Sequence, residues 1–206
     1  FGFDLKERNI WSVDSPDPRF GKPNAKGRLP GQIIANALFY YTEPGWLIVD
    51  PMAGSGTTGD VIDGLPYFQD RKYRMYDIEP TDERIRRANI LQTGIPEQTG
   101  SIDYVFFDPP HDFYPRGTEP GFSPGTAQTD TMMKLKSILR ESVRILKPGG
   151  RMSIIVEQTS GQFGIVDFPF EVTNLARGLG LVSHGKVYLP RHIDPARRPG
   201  SLEATK

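Results

Sequence analysis

Asp108 heads the sharpest chemical signal in the chain. In FFDPPHDFY, residues 106 to 114, an apolar run ends on a carboxylate and two prolines follow at once. Proline fixes the backbone and carries no N–H, so the Asp108 carboxylate and the Pro109 carbonyl form a rigid pair of acceptors. Such a pair suits an exocyclic amino group. The lone pair of that nitrogen is conjugated with its ring and is a poor nucleophile. Accepting its two N–H groups favours pyramidalisation and takes up the positive charge that develops on attack. Position and electrostatics then carry a methyl transfer without a covalent intermediate.

A second signal is LIVDPMAGSGTTGDVID, residues 47 to 63, where an apolar run ends at Asp50 and glycines fall at 54, 56 and 59. Open α/β sheets bind ligands just beyond the carboxyl ends of their strands, which is where this turn lies. Three ligand classes use such a turn. A phosphate loop needs a lysine after the glycines, but Thr57 and Thr58 stand there. A dinucleotide fingerprint needs a third glycine, which Gly59 supplies, so spacing leaves it open. In the third class, backbone groups of the turn hold the amino-acid part of S-adenosylmethionine, and no cation is required. Asp77 closes YRMYD about 20 residues further on, where a carboxylate accepts both hydroxyls of a ribose. NAD and S-adenosylmethionine both fit Asp77, and a merely solvated carboxylate at a strand end is the plainer alternative.

The elements that must position these residues alternate between strand and helix. Ile33, Ile34, Ala37, Leu38 and Tyr41 recur at helical spacing until EPG stops them, and WLIVD follows as a strand. Val61 and Ile62 suggest a short helix after the turn, and KYRMYDIE a second strand. PTDERIRRANILQ reads as a helix, started by Pro80 and Asp82, with Ile85, Ala88 and Leu91 on one side. SIDYVFFDPP is a buried strand, residues 131 to 146 form a helix ended by KPGG, and RMSIIVEQ is another strand. A helix near 169 to 178 and two short strands in LVSHGKVYLP, around 183 to 185, complete the pattern. Alternation of this kind gives an α/β fold with a mainly parallel sheet, organised as one domain over residues 1 to 206. Residues 1 to 28, broken by Pro, Gly and charge, form a loop or arm.

Composition narrows the partners. The 206 residues include 25 basic and 25 acidic ones, so any contact with nucleic acid must be local. With no cysteine there is no disulfide and no thiolate metal site, and no metal is expected. No apolar run approaches the roughly 20 residues of a membrane helix and no signal-peptide pattern opens the chain, so a soluble cytoplasmic protein without a membrane partner is expected. The opening FGFDLKERN, without methionine, reads as the start of a piece of a longer protein.

DPMAGSGTT followed by FDPPH resembles the amino-group DNA methyltransferases, the N6-adenine and N4-cytosine enzymes, whose motifs read close to DPFAGSGTT and DPPY. The likeness runs from Gly31 to about Pro190 and includes ILKPGGRMSIIV and GLGLVSHGKVYLPR. It implies a Rossmann-like S-adenosylmethionine-dependent methyltransferase fold, a mostly parallel seven-stranded sheet with one antiparallel strand. It also implies that Asp50, Pro51 and the turn Ala53, Gly54, Ser55, Gly56 and Thr57 surround the methionine part of the cofactor, with Asp77 on the ribose. Asp108 and Pro109 would hold the target amine, and Pro110 would shape the turn.

Two departures stand out. His111 occupies the place of the family's Tyr or Phe, the ring that stacks on a flipped base; a histidine can stack, and Phe113 or Tyr114 could take over. No segment is long enough for a full target-recognition region. The loop 111 to 130 is a candidate substrate loop, and the tail 191 to 206, with Arg191, His192, Arg197 and Arg198, could touch phosphates or simply be solvated. By resemblance the substrate is nucleic acid, DNA before RNA, and adenine N6 before cytosine N4. A homo-oligomer, a separate specificity subunit, or a non-catalytic methyltransferase-like subunit that binds nucleic acid with a partner are the alternatives.

Overall fold

The computed structural model describes residues 1–22, 28–110, 124–157, 159–161 and 164–190. Its elements are α1 (Gly31–Tyr41), β1 (Leu47–Asp50), α2 (Thr57–Gly64), a 3-10 turn (Pro66–Phe68), β2 (Lys72–Asp77), β3 (Ile85–Arg87), α3 (Ile90–Thr93), β4 (Ile102–Phe107), α4 (Pro124–Ile145), β5 (Leu146–Ile154), β6 (Thr159–Gly161), β7 (Gly164–Val166) and α5 (Phe168–Gly178). The main sheet runs β3-β2-β1-β4-β5, and every pair in it is parallel. The strand order reverses between β1 and β4, so a doubly wound sheet opens its crevice beyond Asp50 and Asp108.

The central strands are apolar on both sides because both sides are covered. Val49, Val105 and Phe107 pack with Leu135, Ile138 and Leu139 of α4 and Phe168 and Val172 of α5. Ile48, Tyr104 and Phe106 pack the other way, against Ile33, Ile34 and Leu38 of α1 and Val61 and Ile62 of α2. Each such side chain removed from water contributes about 1.5–3 kcal/mol, which fixes the strands and so the height at which Asp50 and Asp108 leave the sheet.

Four expectations need correction. The helix over PTDERIRRANILQ does not form: Ile85–Arg87 pairs with Met75–Asp77 as β3, and only Ile90–Thr93 is helical. Arg84 explains the change. Its guanidinium is drawn to Asp60, Asp63 and Asp82 at 2.6, 3.0 and 2.7 Å, which pulls the segment flat along the sheet. The sheet has five strands among the described residues rather than seven, and none is antiparallel within it; β6 and β7 form a separate antiparallel pair. Leu181–Pro190 makes no strand pair of its own, only a bridge between Tyr188 and Ile10. Finally, α4 spans Pro124–Ile145 rather than 131 to 146, and KPGG, which follows it, lies within β5.

The described residues of the arm, 1–22 and 28, form no helix or strand, but they are also core. Phe20 is buried against Gly31 and Gly64, where a Cβ on Gly31 would come within 2.5 Å of it. Trp11 is buried too, and its N–H donates to the Tyr188 carbonyl at 2.9 Å. Among the described residues no helix is long and apolar enough to cross a membrane.

Candidate functional site

β1 ends on Asp50, which is buried. Its Oδ2 accepts from the Thr58 hydroxyl at 2.5 Å and its Oδ1 from the Met52 N–H at 3.1 Å. Burial pushes this carboxyl up to about 6 against those two bonds, and the charge of Asp77 adds to the rise. Pro51 is buried and starts the turn, and the Ala53 N–H reaches across to the Tyr76 carbonyl at 2.9 Å, tying the turn to β2. Gly54 and Gly56 have φ of 52° and 87°, the left-handed region that side chains avoid. Nothing lies within 4 Å of a Cβ built on Gly54, so its backbone is open to a ligand. Ser55 and Thr57 face each other across 3.4 Å between hydroxyls, and Thr57 begins α2, whose first N–H groups have no acceptor within the helix. Gly59 lets α2 lie close on the sheet, since a Cβ there would come within 2.8 Å of Met75.

Asp77 ends β2. Its Oδ2 accepts from Gly54 N–H and its Oδ1 from Glu79 N–H, each at 2.9 Å. Each oxygen keeps a second lone pair for a ligand. The Thr81 hydroxyl donates to the Gly54 carbonyl at 3.3 Å and closes this edge of the turn.

Asp108, Pro109 and Pro110 follow β4 directly; Pro109 is buried and Pro110 exposed. Asp108 is half-buried, and among the described residues no group donates a hydrogen bond to it. Burial first, then the charges of Asp50 and Glu157, push it up to about 7. The structure thus brings Asp50, the turn, Asp77 and Asp108 to one end of the sheet. His111, Phe113 and Tyr114 lie outside the described residues, as do 111–123 of the candidate substrate loop and the tail 191–206.

Three groups at this end were not among the residues singled out from the sequence as site residues. Thr58 holds Asp50, Thr81 holds the turn, and Glu157 acts on Asp108. The register of β4 on β5 places Glu157, and no motif marks it; for Thr58 the second threonine of GSGTT was the available cue. Among the described residues no group of His, Asp and Glu could hold a metal ion.

No family model matches the sequence, and no curated protein matches it. Solved structures with a similar chain path include phosphoethanolamine N-methyltransferase 2 of Haemonchus contortus in complex with S-adenosyl-L-methionine, at 14% identity and a TM-score of 0.49, over 78% of this chain and 38% of that one. The [4+2]-cyclase SpnF is similar at 11% identity and a TM-score of 0.46, over 80% and 63%. A putative S-adenosyl-L-methionine-dependent methyltransferase of Methanococcus maripaludis follows at 17% and 0.39, over 69% and 59%. The chain therefore spans less than two thirds of the length of each of these three. At such values the likenesses assign no activity, and the α/β class stands on the strand order itself.

Proposed function

We propose that this chain is an S-adenosylmethionine-dependent methyltransferase acting on the exocyclic amine of a base in DNA, adenine N6 before cytosine N4. The observation that carries it is Asp108: a half-buried carboxyl at the crevice, set among acids, with no donor of its own among the described residues. An amine N–H is the donor it lacks.

The residues of the turn fit the cofactor. Asp50, Asp77 and Asp108 make an acidic crevice at the ends of β1, β2 and β4, which suits a ligand carrying a sulfonium and an ammonium. The same crevice opposes a dinucleotide, whose pyrophosphate would meet these carboxyls, and Arg84 beside Gly56 is held by three aspartates. When bound, S-adenosylmethionine supplies an electrophilic methyl on a cationic sulfur. The open Gly54 backbone and the first N–H groups of α2 would hold its methionine part, and Asp77 its ribose. Asp108 and the Pro109 carbonyl would orient the amine nitrogen and accept its hydrogens as charge develops.

Transfer of labelled methyl from S-adenosylmethionine to unmethylated genomic DNA, followed by digestion to nucleosides, tests this directly. Label in N6-methyladenine that disappears in Asp108→Ala is the expected result. Label confined to RNA would move the substrate to that polymer. No transfer to either, with the cofactor bound, would overturn the proposal.

A further inference from the structure

β4 and β5 run in parallel with Phe106 beside Ser153 and Phe107 beside Ile154, and Ile155 N–H donates to the Phe107 carbonyl at 2.8 Å. The two strands leave the sheet side by side. Asp108, Val156 and Glu157 consequently line one open groove, together with Phe106 and Ile155. Asp50 acts on Asp108 from the β1 flank, Glu157 from the segment after β5, and Asp77 of β2 acts in turn on Asp50. Among the described residues no cation is set against Asp108.

Methyl transfer to an amine leaves a surplus proton. The nitrogen lone pair forms the N–C bond, the methyl–sulfur bond breaks with its electron pair left on sulfur, and the methylated nitrogen is cationic until one of its hydrogens leaves. Resting on the methyl-transfer reading above, the geometry points to Glu157 as a positioning residue that acts through Asp108. By setting a second carboxylate on the β5 side of Asp108, Glu157 makes Asp108 the base that takes this proton. Asp108 becomes a neutral carboxyl and returns the proton to water through the groove. A base is most effective when its pKa lies near the working pH, and Asp108, raised to about 7 by burial, Asp50 and Glu157, meets that condition. Glu157 touches neither reactant in this scheme, and its effect on the reaction runs through the protonation of Asp108.

The test is Glu157→Gln, with Glu157→Asp beside it, read two ways. Carbon-13 NMR of the Asp108 carboxyl over pH 4 to 9 follows its titration in the intact chain, whether or not methyl is transferred. Initial rates of transfer to an adenine-containing oligonucleotide give kcat and the cofactor KM over the same range. Glu157→Gln should lower the Asp108 midpoint by about one pH unit, as expected for losing one neighbouring charge. The acid limb of kcat should move down with it, the plateau should fall severalfold, the cofactor KM should hold, and Glu157→Asp should restore part of the shift. A midpoint that stays put overturns the proposal regardless of activity. A kcat plateau and limb unchanged while the midpoint falls also overturns it, since Asp108 would then not be the base. A moved midpoint in a protein that transfers no methyl would remove the reaction itself, and so overturn the proposal through its premise while leaving the carboxyl pairing in place.

Discussion

Asp108→Asn should make this protein more stable at alkaline pH while stopping its chemistry. Asp108 ordinarily titrates near 3.8 and is raised to about 7 in the folded chain. A raised carboxyl binds its proton more tightly when folded, so its contribution to stability is fully present below about pH 4 and is lost as pH rises through about 7. The interval from 3.8 to about 7 corresponds to ~4 kcal/mol at ~1.4 kcal/mol per tenfold. Asp108 keeps part of its surface in water, so about 2 kcal/mol is the expected penalty of its charge at pH 8.5. Asparagine keeps the shape and removes the charge. Urea denaturation at pH 8.5 should show the variant more stable by about 2 kcal/mol, or about 5 °C in Tm. At pH 3, where the wild-type carboxyl is neutral in the folded and the unfolded chain alike, the two should nearly coincide. An equal or less stable variant at pH 8.5, or a gain that does not change with pH, would refute the electrostatic account of the site.

Other perturbations separate the cofactor edge from the scaffold. Asp77→Asn removes a carboxylate acceptor from the proposed ribose position and should weaken S-adenosylmethionine binding in calorimetry by about tenfold or more, at ~1.5–3 kcal/mol per charged hydrogen bond. Phe20→Ala should cost about 3–4 kcal/mol in chemical denaturation, because Phe20 is 1% exposed and wedges between Gly31 and Gly64. Arg84→Gln leaves Asp60, Asp63 and Asp82 without their shared cation and should cost about 1–2 kcal/mol, shrinking as salt is added to the melting buffer.

The places of the candidate site residues were legible because strand ends and turns announce themselves locally. Asp50 before the glycines, Asp77 closing YRMYD and Asp108 before two prolines each sit where an apolar run stops, and each stands at the end of β1, β2 or β4. Helical periodicity likewise located α1, although Ile33 to Leu38 are buried on every side rather than along one stripe. It misled over residues 80 to 92, where Ile85, Ala88 and Leu91 satisfy a helix locally but Arg84 has its partners on α2 and in the preceding loop. Propensity cannot see such a distant claim on a side chain. The arm was invisible as core for a different reason: Trp11 and Phe20 are buried from irregular backbone, so no period marks them. Glu157 depends on which residue of β5 stands beside Phe107, a register set by packing across the sheet.

The three aspartates at the crevice sit in three different environments at the ends of one sheet's strands. Asp77 receives two backbone N–H groups and remains partly open to water, and each of its oxygens keeps a lone pair for a ligand. Asp50 is buried but has the Thr58 hydroxyl and the Met52 N–H, so its rise stops at about 6 and its oxygens are engaged within the turn it braces. Asp108 has burial and two acidic neighbours and, among the described residues, no donor, and it rises furthest of the three, to about 7. A carboxyl in that state is costly to the fold and gains most from any group that brings a hydrogen to it. The apolar layers on both faces of β1 and β4 hold Asp108 in place despite that cost. An incoming amine would then be bound most strongly at Asp108, the crevice carboxyl to which no described residue donates a hydrogen bond, which is the condition for stabilising charge on nitrogen rather than merely holding a ligand.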